Sequence, residues 1–175
     1  MDNKRGLLIV YTGNGKGKTT AALGAAVRAA IHGMKTLFIQ FLKKDGESAE
    51  QHILGDLGEK INVFPCGLGF VFKGTDIAPH VKSAREGWRL MQDRLKLGHY
   101  NVLVLDEIAA AINLKLLEVE DVVHFLETRD TELHVIMTGR EMPEQLVKAA
   151  DTVTEMKEIK HAYNAGIAAA AGIDY

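Results

Sequence analysis

Short, nearly continuous apolar runs alternate along this chain with longer stretches of helical period. Leu7-Leu8-Ile9-Val10-Tyr11 is the first run, and glycines follow it at once; a strand covered on both faces of a parallel sheet reads this way. From Lys18 to Ile31 the chain is rich in alanine and free of proline, with apolar positions at Ala22, Ala26, Ala29 and Ala30 and a close at His32-Gly33. That pattern predicts a helix ended by a glycine. Further strands are predicted at Thr36 to Phe41, Ile61 to Phe64, Val102 to Leu105, Leu133 to Met137 and Thr152 to Met156. Helices are predicted near Ala49 to Leu57, Ala78 to Leu97, Val119 to Glu127 and Pro143 to Ala150. Strands alternating with helices give an α/β fold with a mainly parallel central sheet and helices on both faces. Ala84, Trp88, Met91 and Leu95 recur at helical spacing, so Trp88 is expected in the core.

At 175 residues, 47% apolar and 25% charged, the chain has the size of one domain. Residues 1–175 are read as a single domain, because the three prolines, at 65, 79 and 143, each sit beside an element end and no linker or repeat interrupts the alternation. Two segments do not fit it: Cys66 to Ile77, glycine-rich with phenylalanines interleaved, and Lys160 to Tyr175, which contains Ala168 to Ala171. Both are read as loops over a site, with a short terminal helix as the other reading of the alanine run.

Composition then narrows the function classes. Twenty-one Lys and Arg against 23 Asp and Glu leave a formal net charge of -2, which lacks the basic footprint of a nucleic-acid binder. No two of the seven histidines are three to five residues apart, so no helix face carries a zinc pair. Cys66, the single cysteine, allows no internal disulfide, fits a reducing cytoplasmic setting, and is expected as a small buried hydrophobe. No apolar run approaches the ~20 residues that span a bilayer. The N-terminal run is too short for a signal-peptide core, and the mature chain is expected to start at or near Met1.

The strongest chemical signal is Thr12-Gly13-Asn14-Gly15-Lys16-Gly17-Lys18-Thr19-Thr20, set between an apolar strand and a helix as a Walker A phosphate loop requires. Glycines there let successive backbone N–H groups converge on phosphate oxygens, and the positive end of the following helix adds its dipole. Lys18 supplies a point charge to the phosphates, and the Thr19 hydroxyl is placed to ligate magnesium. Thr12 stands where the general pattern has its first glycine.

Val102-Leu103-Val104-Leu105-Asp106-Glu107 has the form of a Walker B strand, with carboxylates at the end where open α/β sheets bind ligands. Asp106 and Glu107 are expected at the metal, directly or through water. Arg28 lies ten residues after Lys18; by spacing it is a solvated helix residue unless the nucleotide folds back to meet it.

Several short motifs occur in order along the chain: the extended loop through Ala21-Ala22, then Gln40-Phe41, Gly69-Phe70, Val104-Leu105-Asp106-Glu107, Thr138-Gly139-Arg140, Ala150-Asp151-Thr152-Val153, Lys160-His161-Ala162 and Gly172-Ile173-Asp174-Tyr175. In this the chain resembles the ATP:corrinoid adenosyltransferases of the cobalamin pathway over essentially its whole length. The resemblance makes Thr12 a family trait. It implies transfer of the 5'-deoxyadenosyl group of ATP to reduced corrinoid cobalt with release of triphosphate, Mg2+ or Mn2+ as cofactor, a reductase as electron donor and a homodimer. It implies ATP contacts from Thr12, Gly13, Asn14, Gly15, Lys16, Gly17, Lys18, Thr19, Thr20 and Arg28, with the phosphates reversed relative to kinases. Lys18 and Glu107 are then the catalytic pair, and Thr19, Glu107 and Asp106 the metal positions. Phe70 and Phe72 fall where the family sets aromatics against the corrin face to exclude a lower axial ligand, which eases reduction of the metal. Family members often carry tryptophan at the place of Phe72, and some carry a basic extension before strand one where this sequence has only Met1 to Arg5; closure is then expected from a partner subunit or from the Lys160 to Tyr175 tail.

Two other classes use the same loop. A small nucleoside or nucleotide kinase lacks support in an arginine-rich lid or an acceptor-side base. A nucleotide-responsive regulator bound to nucleic acid lacks the charge.

Overall fold

The computed structural model describes residues 5–47, 49–51, 57, 60–72 and 74–174. Six strands, β1 (Leu8–Thr12), β2 (Thr36–Gln40), β3 (Ile61–Pro65), β4 (Val102–Asp106), β5 (His134–Thr138) and β6 (Thr152–Glu155), form one sheet in the order β3-β2-β4-β5-β1-β6. Every pairing is parallel, so the expected mainly parallel sheet is parallel throughout. Helices that lie wholly within the described residues connect and cover it: α1 (Lys18–Ile31), α2 (Ala78–Leu97), α3 (Ile108–Asn113), α4 (Val119–Thr128) and α5 (Glu144–Ala149). Of the helix expected over Ala49 to Leu57, Glu50 and Gln51 are helical and residues 52–56 lie outside the described residues.

Side-chain alternation along the strands divides the core in two. On one face Leu37, Leu103, Val135 and Met137 pack against Trp88 and Met91 of α2 and against buried residues of the three shorter helices. On the other, Phe38, Val104 and Ile136 meet Ala22 and Ala26 of α1. Those two alanines are fully buried; their small side chains let α1 lie close to the sheet, and alanine also favours the helix. Full burial of a side chain such as Phe38 contributes roughly 1.5–3 kcal/mol. Trp88 lies in the core as its spacing predicts, with its ring edge-on to Phe125 at 5.6 Å.

The short helix α3 was not expected, and the alanine run of the tail is not helical; the tail instead holds one 3-10 turn over Ala162–Ala165. Cys66 packs beside the core cluster, and burial pushes its thiol up to about 11, so it is the inert small residue expected. Among the described residues no helix is long and apolar enough to cross a membrane.

Candidate functional site

The C-terminal ends of β1, β4 and β5 lie side by side, and each ends in residues that carry chemistry. After β1 the chain turns through Gly13 and Gly17, whose φ angles of 92° and 113° are left-handed, into the N-terminus of α1. Gly17 is the residue just before the helix, where glycine takes this conformation without a Cβ penalty. Gly13 and Gly15 meet a second requirement: a Cβ on either would stand 2.5–2.7 Å from the Met156 carbonyl oxygen. The Gly15 N–H donates to that oxygen at 2.6 Å. The glycine loop is thus backed by the chain leaving β6.

Lys18 is buried, and its Nζ donates to the carbonyl oxygens of Gly13 at 2.7 Å and Gly15 at 2.8 Å. Burial holds its ammonium below the ordinary lysine range; Glu107 and Asp106 oppose the shift, and Arg140 adds to it. A positive group kept out of water this way gains strongly from an incoming polyanion. Asp106 is fully buried; its Oδ1 accepts from Thr19 Oγ1 at 2.9 Å and Thr138 Oγ1 at 2.7 Å, while its Oδ2 has no partner among the described residues. Glu107 follows with left-handed backbone at φ 60°, and its N–H donates to Thr138 Oγ1 at 2.9 Å. Burial raises the carboxyl pKa of both acids, and each acid's neighbours act on it as well: Lys43 and two hydrogen bonds lower that of Asp106, and the Asp106 charge raises that of Glu107.

These groups surround a cleft of about 340 Å3 lined by Lys18, Thr19, Lys43, Glu107 and Arg140 among others. A larger hollow of about 970 Å3 adjoins the cleft, with Asn14, Phe70, Tyr163 and Ile167 on its walls; Lys16, Arg140, His161 and Asp174 border both spaces. Lys16 Nζ donates to the Ile173 carbonyl at 2.7 Å and pairs with the Asp174 carboxylate. The tail therefore closes one side of the cleft.

The donor set fits a hard divalent cation: the Thr19 hydroxyl, a buried Asp106 oxygen without a partner and the Glu107 carboxylate. Among the described residues no group of three or more His, Cys, Asp or Glu side chains gathers to hold a metal, so such a cation needs oxygens from a bound phosphate to complete its shell.

Of the residues singled out in the sequence, Gly15, Lys16, Gly17, Lys18, Thr19, Thr20 and Glu107 line the cleft, with Asp106 behind Thr19. Thr12 Oγ1 accepts from the Met142 N–H at 3.4 Å, and Asn14 faces the larger hollow. Arg28 is exposed in the last turn of α1 and does not line the cleft. Phe70 and Phe72 are 79% and 73% exposed, so they are not packed beneath a loop; their rings lie 6.5 Å apart, and Phe70 alone of the two borders the hollow. Lys43, Arg140 and His161 received no role from the sequence. A basic residue just past a strand's C-terminal end, as Arg140 is past β5, was the available signal.

A family model described as ATP:corrinoid adenosyltransferase BtuR/CobO/CobP matches residues 4–175. The corrinoid adenosyltransferase of Escherichia coli K12 is 37% identical over 173 residues, covering 99% of this chain and 87% of that protein. That of Pseudomonas aeruginosa is 35% identical over 173 residues, covering 99% and 85%. Among solved structures, a KaiC-like protein from Pyrococcus horikoshii superposes with a TM-score of 0.53 at 16% identity, over 89% of this chain and 75% of that one. That likeness concerns the fold, a single P-loop NTPase-like α/β arrangement.

Proposed function

The chain belongs to the ATP:corrinoid adenosyltransferase family, and from that premise we propose that it moves the 5'-deoxyadenosyl group of ATP onto the cobalt of a reduced corrinoid and releases triphosphate. The observation that carries this reading is the adjoining pair of spaces: a cleft at the glycine loop and, sharing Lys16 and Arg140 with it, a hollow nearly three times its volume. Two substrates of unequal size fit such a plan better than one nucleotide and a small acceptor.

Cobalt in its +1 state is the nucleophile and supplies both electrons of the new cobalt–carbon bond. The bond between the ribose 5' carbon and its oxygen breaks, and its electron pair leaves on the triphosphate. No proton moves in this step, so the protein needs no general base. Its work is alignment and stabilisation of charge on the leaving group. Lys18 exchanges its loop carbonyls for phosphate oxygens, the loop N–H groups and the N-terminus of α1 add their dipoles, and Arg140 meets the triphosphate from the side of the hollow. Arg28 joins them if the tail phosphate folds back along α1. Thr19, Asp106 and Glu107 would hold a magnesium or manganese ion, which when bound neutralises phosphate charge.

Phe70 and Phe72 lie against the corrin face, exclude an axial donor and ease reduction of cobalt by a partner reductase. The Lys160 to Tyr175 tail closes the site, within a homodimer in the cytoplasm. The test is an anaerobic assay with chemically reduced corrinoid, ATP and magnesium. A light-sensitive adenosylated corrinoid and one triphosphate per turnover are expected; ADP formed in step with phosphorylation of a nucleoside would overturn the reading in favour of a kinase.

A further inference from the structure

Gln40 is fully buried at the C-terminal end of β2, and no step above uses it. Its register partner on β4 is Asp106. Two residues earlier on each strand, Phe38 and Val104 pack against α1, so by alternation Gln40 and Asp106 project to the same face of the sheet, the face of Thr19. Each keeps one buried polar atom without a partner among the described residues: Nε2 of Gln40 and Oδ2 of Asp106. One is a donor, the other an acceptor, and they do not reach each other.

The orientation of the Gln40 carboxamide follows from a relay that starts at a backbone group. The Gly46 N–H can only donate, and it donates to Gln51 Oε1 at 2.6 Å. Gln51 Nε2 is then the donor at the other end, to the Lys44 carbonyl at 2.9 Å and to Gln40 Oε1 at 3.0 Å. Gln40 is left with its N–H groups directed elsewhere. Buried polar groups in native proteins find partners, in protein or in water. Both atoms are closed to solvent in the structure as it stands, so a water that satisfied both would have to enter with the cation: its oxygen would accept from Gln40, and one of its protons would go to Asp106. Its remaining lone pair is free for a cation.

We propose that Gln40 is a positioning residue for the cation that accompanies ATP: together with Asp106 it holds one water of that cation's coordination shell. This rests on the cation site of the preceding section and extends it to a strand that contributes no ligand of its own. Outer-shell partners of this kind alter metal affinity by about 10–100-fold when removed.

The test uses Mn2+ as the probe, with ATP present and corrinoid omitted so that no turnover occurs, and reads free Mn2+ by electron paramagnetic resonance. Gln40→Met keeps the side-chain length and removes the amide; it should weaken Mn2+ binding to the protein–ATP complex by about tenfold. ATP binding measured in EDTA should stay at the wild-type value. Should Gln40→Met fail to fold, Gln51→Ala breaks the relay from a half-buried position and should shift Mn2+ affinity in the same direction. Wild-type Mn2+ affinity in a variant that melts like the wild type overturns the role of Gln40 and leaves the cation site standing. If the wild-type protein–ATP complex binds Mn2+ no more tightly than free ATP does, the cation site itself falls, and this proposal with it.

Discussion

The two ends of the sheet both carry cavities, and they differ in how their polar groups are used. At the N-terminal ends of β4 and β5 a space of about 490 Å3 is lined by Tyr100, Asn101, Phe125, Arg129 and Leu133. Three of its polar side chains are engaged: Tyr100 donates to Asn62 Oδ1 at 2.8 Å, Asn101 Oδ1 accepts from the Lys35 N–H at 2.9 Å, and Arg129 reaches the carbonyl oxygens of Leu126, Leu133 and Gly6; nearby, the buried Thr36 Oγ1 has no partner among the described residues. At the opposite end the cleft itself is smaller, about 340 Å3, and a hollow of about 970 Å3 lies beside it. There a buried ammonium rests on two loop carbonyls, and a carboxylate oxygen and an amide nitrogen have no partner among the described residues. Size does not mark the cleft itself. A buried ammonium and a buried carboxylate set close together do, because keeping charged groups out of water costs stability that a bound ligand recovers.

Substitutions at the two ends should therefore fail in different ways. The largest effect is expected from Lys18→Ala and Glu107→Ala: each removes one electrostatic group from the phosphate cleft and should lower kcat/KM by on the order of 10²-fold or more, with the melting temperature kept. Steady-state kinetics within about threefold of wild type would break the assignment of the working end. Phe72→Ala should cost about three- to tenfold, the scale of one aromatic contact, when the assay begins from cob(II)alamin and a weak reductant, and less when cobalt is already reduced. Equal losses in the two assays would confine Phe72 to packing.

At the other end, Arg129→Met leaves three carbonyl oxygens without their donor and should destabilise the fold by about 1–3 kcal/mol in urea titrations. Its turnover number should match wild type; a fall in kcat without loss of stability would bring that cavity into the function. The smallest effect concerns Cys66. With its thiol pushed up to about 11, alkylation by iodoacetamide should be slow at pH 8 and accelerate only as pH approaches that value, since the thiolate is the nucleophile. Fast labelling at pH 8 would place Cys66 outside its buried setting.

The comparison also explains what the sequence revealed. Strands β2, β4 and β5 were legible because burial on both faces makes them nearly continuous apolar runs, and α2 was read at its observed ends, Ala78 and Leu97, because its period is sustained. The helix α3 escaped notice: it is six residues long, Ile108, Ala109 and Ala111 are all buried, and the residue before it is Glu107 in a left-handed conformation rather than a side-chain cap, so neither period nor capping signal exists. Lys18, Thr19, Asp106 and Glu107 were legible because each sits next to the strand that positions it. Lys43, Arg140 and His161 reach the cleft from three separate segments, and only the strand order, which the chain's own order does not disclose, brings those segments together. The alanine run suggested a helix by propensity; in the structure the tail is held instead by Lys16 contacts to Ile173 and Asp174, a tertiary override of a weak local preference.

The central claim is that the cleft serves displacement at the ribose 5' carbon, with the triphosphate leaving whole, and which bond breaks tests it most directly. An ATP analogue with a methylene group between the β and γ phosphorus atoms resists transfer of its terminal phosphoryl group but keeps the bond that adenosyl transfer breaks. With reduced corrinoid and magnesium under anaerobic conditions, it should still yield light-sensitive adenosylated corrinoid together with the methylene analogue of triphosphate, at a rate lowered by the altered leaving group. An analogue that demonstrably binds and gives no adenosylated corrinoid, while ATP does, would contradict the claim.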